Sequence, residues 1–195
     1  MADMRAVATC LREGGVALLP TDTVYGLAAL PTSDAAVDRL FALKRRPRTR
    51  NLPVMIASQD QLAAMDVRIT DAAARLMKSS YMPGPLTLAL GVGPAAPAWL
   101  EGRTEIAVRM PDHALLLAVL RETGPLFVTS ANAHGLATPE SLQDALAQLD
   151  GAPDIAIDGG ILRTVPSTLV NCNITPPVIE RVGVISEEAI WKILA

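Results

Sequence analysis

Short apolar runs of strand length alternate with amphipathic segments of helical spacing along the whole chain. Residues 3–13 predict a helix closed by Gly14-Gly15, the usual place for glycine at a helix C-terminus. "VALLP" is a first strand, and "TDTVYGLAALP" a loop followed by a second extended piece. "SDAAVDRLFALKRR" opens on a Ser-Asp start signal. Its Ala36, Val37, Leu40 and Leu43 recur at helical spacing, and Pro47 lies just past its end. "LPVMIA" predicts a strand, then "SQDQLAAM" and "TDAAARLMKSS" two helices with Ser58 and Thr70 as caps.

"PGPLTLAL" and "TEIAVRMP" are strands separated by a Pro/Gly-rich loop at 91–98. "DHALLLAVLRETG" is a helix closing on Gly124, "PLFVTSA" a strand and "SLQDALAQLD" a helix. "DIAIDGG", "PSTLVN" and "PVIERVG" are strands, and "SEEAIWKILA" is a final helix. Strands and helices intermix without a linker long enough to divide domains, so residues 1–195 predict one α/β domain. Steps such as "PSTLVN" to "PVIERVG" are too short for a crossover helix, so the sheet is expected to be mixed.

Composition narrows the partners. Half of the 195 residues are apolar and 19 % are charged, which suits a buried core and not disorder. Aromatics make up 3 %, too few for a row of base-stacking platforms. Cys10 and Cys172 are far apart and only two His are present, so a structural zinc site is not expected and a reducing compartment is. The N-terminus has charges at Asp3, Arg5, Arg12 and Glu13 and does not read as a signal peptide. The uncharged stretch Met82–Leu100 contains four Pro and three Gly, unlike a membrane helix. A cytoplasmic protein with no membrane partner is expected.

The net charge is −3, yet Lys44–Arg50 packs five basic side chains into seven positions. Such a run is either a solvated surface or a sorting signal, or it meets a polyanion, since guanidinium forks match phosphate oxygens. "PTDTVYGL" (20–27) and "VTSANAHG" (128–135) both follow apolar strands, where ligand groups sit in α/β sheets. Thr21, Thr23, Ser130 and Asn132 can bond a small polar ligand or form ordinary turns, and Tyr25 can wall the ligand. His113 and His134 read as surface or capping residues. Neither GxSxG, GxGxxG nor a Walker loop occurs. Arg109 and Arg181 lie in strands and need a carboxylate, from the protein or from a ligand.

Seven segments in this order resemble the YrdC family of threonylcarbamoyl-AMP synthases over nearly the whole chain. They are "PTDTVYGL", the KxRP of Lys44, Arg46 and Pro47, "PGPLT" at 83–87, "VRMP" with Arg109, the SxN of Ser130 and Asn132, "PST" at 166–168, and "RVG" with Arg181. The resemblance implies a YrdC-like single domain, of the short form, whose twisted mixed sheet and flanking helices surround a cationic cavity. It implies that L-threonine, bicarbonate and ATP, with Mg²⁺, give threonylcarbamoyl-AMP and pyrophosphate. A downstream tRNA threonylcarbamoyl transferase complex then uses the product, and a weak RNA contact is part of the same picture.

By the same resemblance the basic heptad faces the ATP phosphates, with Lys44, Arg46, Arg50, Ser130, Asn132, Thr138 and Arg181 at the nucleotide. Lys44, Arg46, Ser130 and Asn132 are the catalytic group. Thr23, Arg109 and Ser167 hold threonine. Met55, which stands where many members carry a histidine, lies in that same subsite. No protein metal ligand is expected. A carbamoyl-adenylate-forming YrdC-like enzyme and an RNA-binding YrdC-like protein are the other functions considered.

Overall fold

The computed structural model describes residues 2–100 and 102–195. Its strands, in chain order, are β1 (Ala17–Leu19), β2 (Gly26–Ala29), β3 (Val54–Met55), β4 (Val67–Arg68), β5 (Leu86–Val92), β6 (Glu105–Arg109), β7 (Leu126–Ser130), β8 (Ile155–Ala156), β9 (Thr168–Asn171) and β10 (Val178–Arg181). The helices are α1 (Ala2–Arg12), α2 (Asp34–Leu43), α3 (Asp71–Met77), α4 (Ala114–Thr123), α5 (Leu142–Gln148) and α6 (Glu187–Leu194), with 3₁₀ turns at Gln59–Met65 and Ala98–Leu100.

All ten strands share one sheet in the order β10-β9-β5-β6-β3-β7-β2-β1-β8, with β4 added alongside β5. The pairs β1–β8, β3–β6 and β5–β9 are parallel and the rest antiparallel, so the sheet is mixed as the short connections require. The caps expected at Ser33 and Thr70 form, and Ser141 and Ser186 likewise accept a backbone N–H at the start of their helices. His113 does the same for α4 through Nδ1. Ser58 makes no such bond, and its helix is a 3₁₀ turn.

Period-two alternation decides which face each side chain enters. On β5, Leu86, Leu88, Leu90 and Val92 join the larger core with Ile106 and Val108 of β6, beneath α2, α3, α5 and α6. Thr87 on β5, and Ala107 and Arg109 on β6, face the other way into a cavity. On that second face, α1 and α4 seat Val7, Leu11, Leu116, Val119 and Leu120 against Ala17, Leu19, Ala28 and Val128. The helices thus cover much of β1, β2 and β7, and the cavity lies over β3, β6, β5, β9 and β10, with Gly26 of β2 and Val128–Ser130 of β7 on its lining.

The last sheet edge is closed by a backbone clasp. Thr168 Oγ1 accepts N–H bonds from Gly183 (2.9 Å) and Ile185 (3.0 Å) and donates to Ile185 O (2.7 Å). A Cβ on Gly183 would lie 2.2 Å from Pro166 O and 2.5 Å from Ser167 C. Backbone cannot retreat as a flexible side chain can, so Gly183→Ala is expected to lower unfolding free energy by about 2–3 kcal/mol. Urea unfolding at unchanged m-value measures it, and a loss within error of zero would contradict the clasp.

Candidate active site

A cavity of about 390 Å³ opens on the sheet face. Its floor is one registered row across five strands. Met55 pairs with Arg109, Arg109 with Thr87, Thr87 with Leu169, and Leu169 with Arg181. Cross-strand partners share a face, so all five line the same space.

Arg109 is only 4 % exposed. Its Nε donates to Gly84 O (3.0 Å), Nη1 to Thr23 Oγ1 (2.8 Å) and Nη2 to Asp22 Oδ1 (2.7 Å). Burial lowers its pKa while the Asp22 charge opposes that shift. Three of the five guanidinium hydrogens are thereby used, and each terminal nitrogen keeps one more. The "TDT" loop is built for this. Thr21 Oγ1 accepts from Thr23 N (3.0 Å) and Val24 N (3.1 Å) and donates to Val24 O (2.7 Å), fixing Asp22 and Thr23 under the arginine.

Arg181 lies on edge strand β10 and donates to Ser167 O (3.0 Å) and Ser167 Oγ (3.1 Å). Burial of its guanidinium and the nearby Arg109 charge both lower its pKa. Arg46, half-buried, donates to Arg50 O (3.4 Å) and Asn51 O (3.0 Å). Neither arginine has a carboxylate partner among the described residues, and no carboxylate lines the cavity there.

The basic heptad divides its charges. Arg45 pairs with Asp150 (3.1 Å) and Arg48 with Asp38, the latter also lying 5.0 Å over the Phe41 ring. Arg50 is exposed and does not line the cavity, so of the five basic residues only Arg46 does. Lys44, expected to be an exposed phosphate ligand, is 1 % exposed. Its Nζ donates to Ser130 O and to Asn132 O (2.5 Å), tying the end of α2 to the SxN loop.

The SxN loop is further held by Ser130 Oγ donating to Asn132 Oδ1 (2.5 Å) and by Asn132 Nδ2 donating to Leu136 O (2.8 Å). Tyr25 does not wall the cavity: it is fully buried, donating to Gly160 O (2.7 Å) and accepting from Gly159 N (2.9 Å). Thr23, Arg46, Met55, Arg109, Ser130, Asn132, Thr138, Ser167 and Arg181 come together around the cavity, while Lys44 and Arg50 stand outside its lining.

A family model for Sua5/YciO/YrdC proteins, described as "Telomere recombination", matches residues 9–183. The chain belongs to the Sua5/YciO/YrdC family. The Bacillus subtilis threonylcarbamoyl-AMP synthase is 38 % identical over 191 residues, 96 % of this chain and 55 % of that relative. The structure of Pyrococcus abyssi Sua5 complexed with L-threonine superposes at a TM-score of 0.90 and 36 % identity, covering 99 % of this chain and 57 % of that one. Escherichia coli YciO superposes at 0.85 and 27 % identity, covering 97 % and 93 %. The chain therefore spans little more than half the length of the two synthase-type relatives.

Family motifs do not mark every residue in the site. Asn51 and Thr129, outside the seven segments, also line the cavity, as do Thr21 of "PTDTVYGL" and Thr87 of "PGPLT", to which no subsite was assigned. Of these Thr87 had a signal, being the lone hydroxyl in the apolar run "LTLALGV". The altered place of Lys44 has a measurable consequence. Burial, and then Arg46, push its ammonium down to about 7 from the ordinary 10.5. The unfolded chain therefore binds a proton that the native state releases between those values, so this lysine opposes folding at low pH and that penalty fades as pH rises. The neutral amine still has two N–H groups for the two carbonyls. Lys44→Met is expected to cost about 1–3 kcal/mol near pH 9 and less near pH 7, by urea unfolding. A loss that is constant or larger at pH 7 would refute this.

Proposed function

We propose that the chain makes threonylcarbamoyl-AMP and pyrophosphate from L-threonine, bicarbonate and ATP. The carrying observation is the charge layout of the cavity: among the described residues Arg46 and Arg181 are bound only to neutral oxygens, beside an Arg109 that keeps one unused N–H on each terminal nitrogen. That fork suits the threonine carboxylate, with Thr23 and Ser167 beside it and Met55 packing on its flank. Arg46, Arg181, Ser130, Asn132 and Thr138 provide the nucleotide side. Lys44 acts from behind by holding the SxN loop, and Arg50 contributes its carbonyl to the seat of Arg46.

The amine of threonine bonds to the carbon of bicarbonate, with loss of water, to give a carbamate. A carbamate oxygen then bonds to the α-phosphorus as the bond to pyrophosphate breaks. Attacking and leaving groups are both anions, so alignment and charge neutralisation by the arginines supply the catalysis. Among the described residues no cluster of three His, Cys, Asp or Glu could hold a metal ion. Mg²⁺ enters on the phosphates of ATP, as part of the substrate.

Residues 1–195 act as one YrdC-like unit, and the labile adenylate passes to a transferase that modifies tRNA in the cytoplasm, with at most a weak RNA contact here. Among the described residues no helix is long and apolar enough to cross a membrane.

Pyrophosphate release with Mg²⁺, ATP and bicarbonate is expected only when L-threonine is added. Release with carbamoyl phosphate in place of threonine and bicarbonate would replace this function by carbamoyl-adenylate chemistry. Arg109→Ala is expected to raise the threonine KM by about 10- to 100-fold and leave that of ATP nearly unchanged, the scale of a lost charged hydrogen-bond pair. Arg46→Ala is expected to act on ATP instead. Equal effects on both substrates from Arg109→Ala would remove the threonine role and leave only its structural one of holding the "TDT" and "PGP" loops.

A further inference from the structure

Within that proposed reaction Thr87 has no role so far, and its hydroxyl bonds that of Ser167 on the threonine side. Thr87 Oγ1 and Ser167 Oγ are 2.7 Å apart, each residue is 5 % exposed, and both line the cavity. Thr87 is the next residue after Arg109 in the registered row, and Arg181 is two further on. Ser167 Oγ also accepts from Arg181 Nη2 (3.1 Å). We propose that Thr87 and Ser167 form the seat of a small oxyanion, bicarbonate in this reaction, held between Arg109 and Arg181.

Hydrogen counting supports this. Two hydroxyls carry two hydrogens, and their mutual bond uses one. Neither oxygen has another acceptor among the described residues. Whichever way the pair is oriented, one buried O–H remains to be donated into the cavity, and a ligand oxygen satisfies it. Arg181 adds N–H groups of its own, since only two of its five are in use.

Charge gives the sign of that ligand. Arg109 has Asp22 on the side of the β1–β2 loop, whereas Arg181 has no carboxylate among the described residues and is further pressed by the Arg109 charge. A neutral hydroxyl placed over Thr87 would relieve none of that repulsion, and an anion would. The position also suits the chemistry. Bicarbonate beside Arg109 lies next to the amine of an amino acid whose carboxylate that arginine holds, where the N–C bond must form.

The test uses the whole chain as wild type, Thr87→Val and Thr87→Ser, in buffers freed of carbon dioxide. In pyrophosphate release, Thr87→Val is expected to raise the bicarbonate KM about tenfold or more, with threonine and ATP values within about twofold, and Thr87→Ser to restore it. An unchanged bicarbonate KM overturns the seat, and a threonine KM that rises equally overturns it and assigns the pair to the amino acid.

A second arm needs no turnover. Saturating bicarbonate alone is expected to raise the melting temperature of the wild type but not of Thr87→Val, while both still respond to pyrophosphate. No response of the wild type to bicarbonate, or an equal response of both proteins, refutes the proposal. Loss of the pyrophosphate response as well would make Thr87 part of a phosphate site and also refute it. Were the wild type to bind bicarbonate in this way without threonine-dependent turnover, the reaction would be wrong and the anion seat right.

Discussion

A guanidinium buried on a central strand is the constraint that organises this molecule. An unpaired cation in that place would cost several kcal/mol, so every hydrogen bond to Arg109 has to be provided by nearby chain. The "TDT" loop supplies Asp22 and Thr23, held in place by the Thr21 hydroxyl. The "PGP" turn supplies the Gly84 carbonyl, and Gly84 N in turn donates to Met110 O just beyond the arginine. Gly84 takes a φ of +149°, and a Cβ there would meet Tyr81 O at 2.9 Å, so the turn needs glycine. Two loops distant in sequence are thus tied to one side chain that lines the cavity.

The basic heptad shows how a local turn sorts charges that sequence alone presents as one block. Helix α2 ends in a Schellman motif: Arg46 N bonds to Phe41 O, and Arg45 N to Ala42 O. Arg45 takes the left-handed position at φ +51°, which glycine usually fills. The reversal sends Lys44 inward to the SxN carbonyls, Arg45 outward to Asp150 and Arg46 into the cavity. Three consecutive basic residues therefore do three different things: one braces a loop, one pairs on the surface, and one remains for a ligand.

Much of this was legible in the sequence. The apolar runs "PGPLTLAL" and "TEIAVRMP" marked β5 and β6, with Arg109 inside its strand, and the Ser-Asp and Thr-Asp starts marked the helices that Ser33 and Thr70 cap. The mixed sheet followed from short connections. Other features depend on contacts between distant segments. Val67–Arg68 is a strand of two residues that exists because β5 lies beside it, and "DIAIDGG" pairs only at Ile155–Ala156 against β1. Nor could the sequence show that Tyr25 anchors Gly159 and Gly160, or that Lys44 is buried, since a KxRP string carries no record of which carbonyls it meets.

The two arginines of the row differ in a way that follows from their places in the sheet. Arg109 is near the middle, shut off from water, and cannot be left without a counter-ion, so Asp22 accompanies it permanently. Arg181 is an exposed residue on the edge strand and can be anchored by the neutral oxygens of Ser167, with no carboxylate partner among the described residues. An anion arriving in the cavity therefore gains little by displacing Asp22 and much by meeting Arg181 and Arg46. The fixed ion pair orients ligands, and the uncompensated arginines attract them. One sheet face thus separates positioning from charge neutralisation, the two contributions that joining anionic reactants requires.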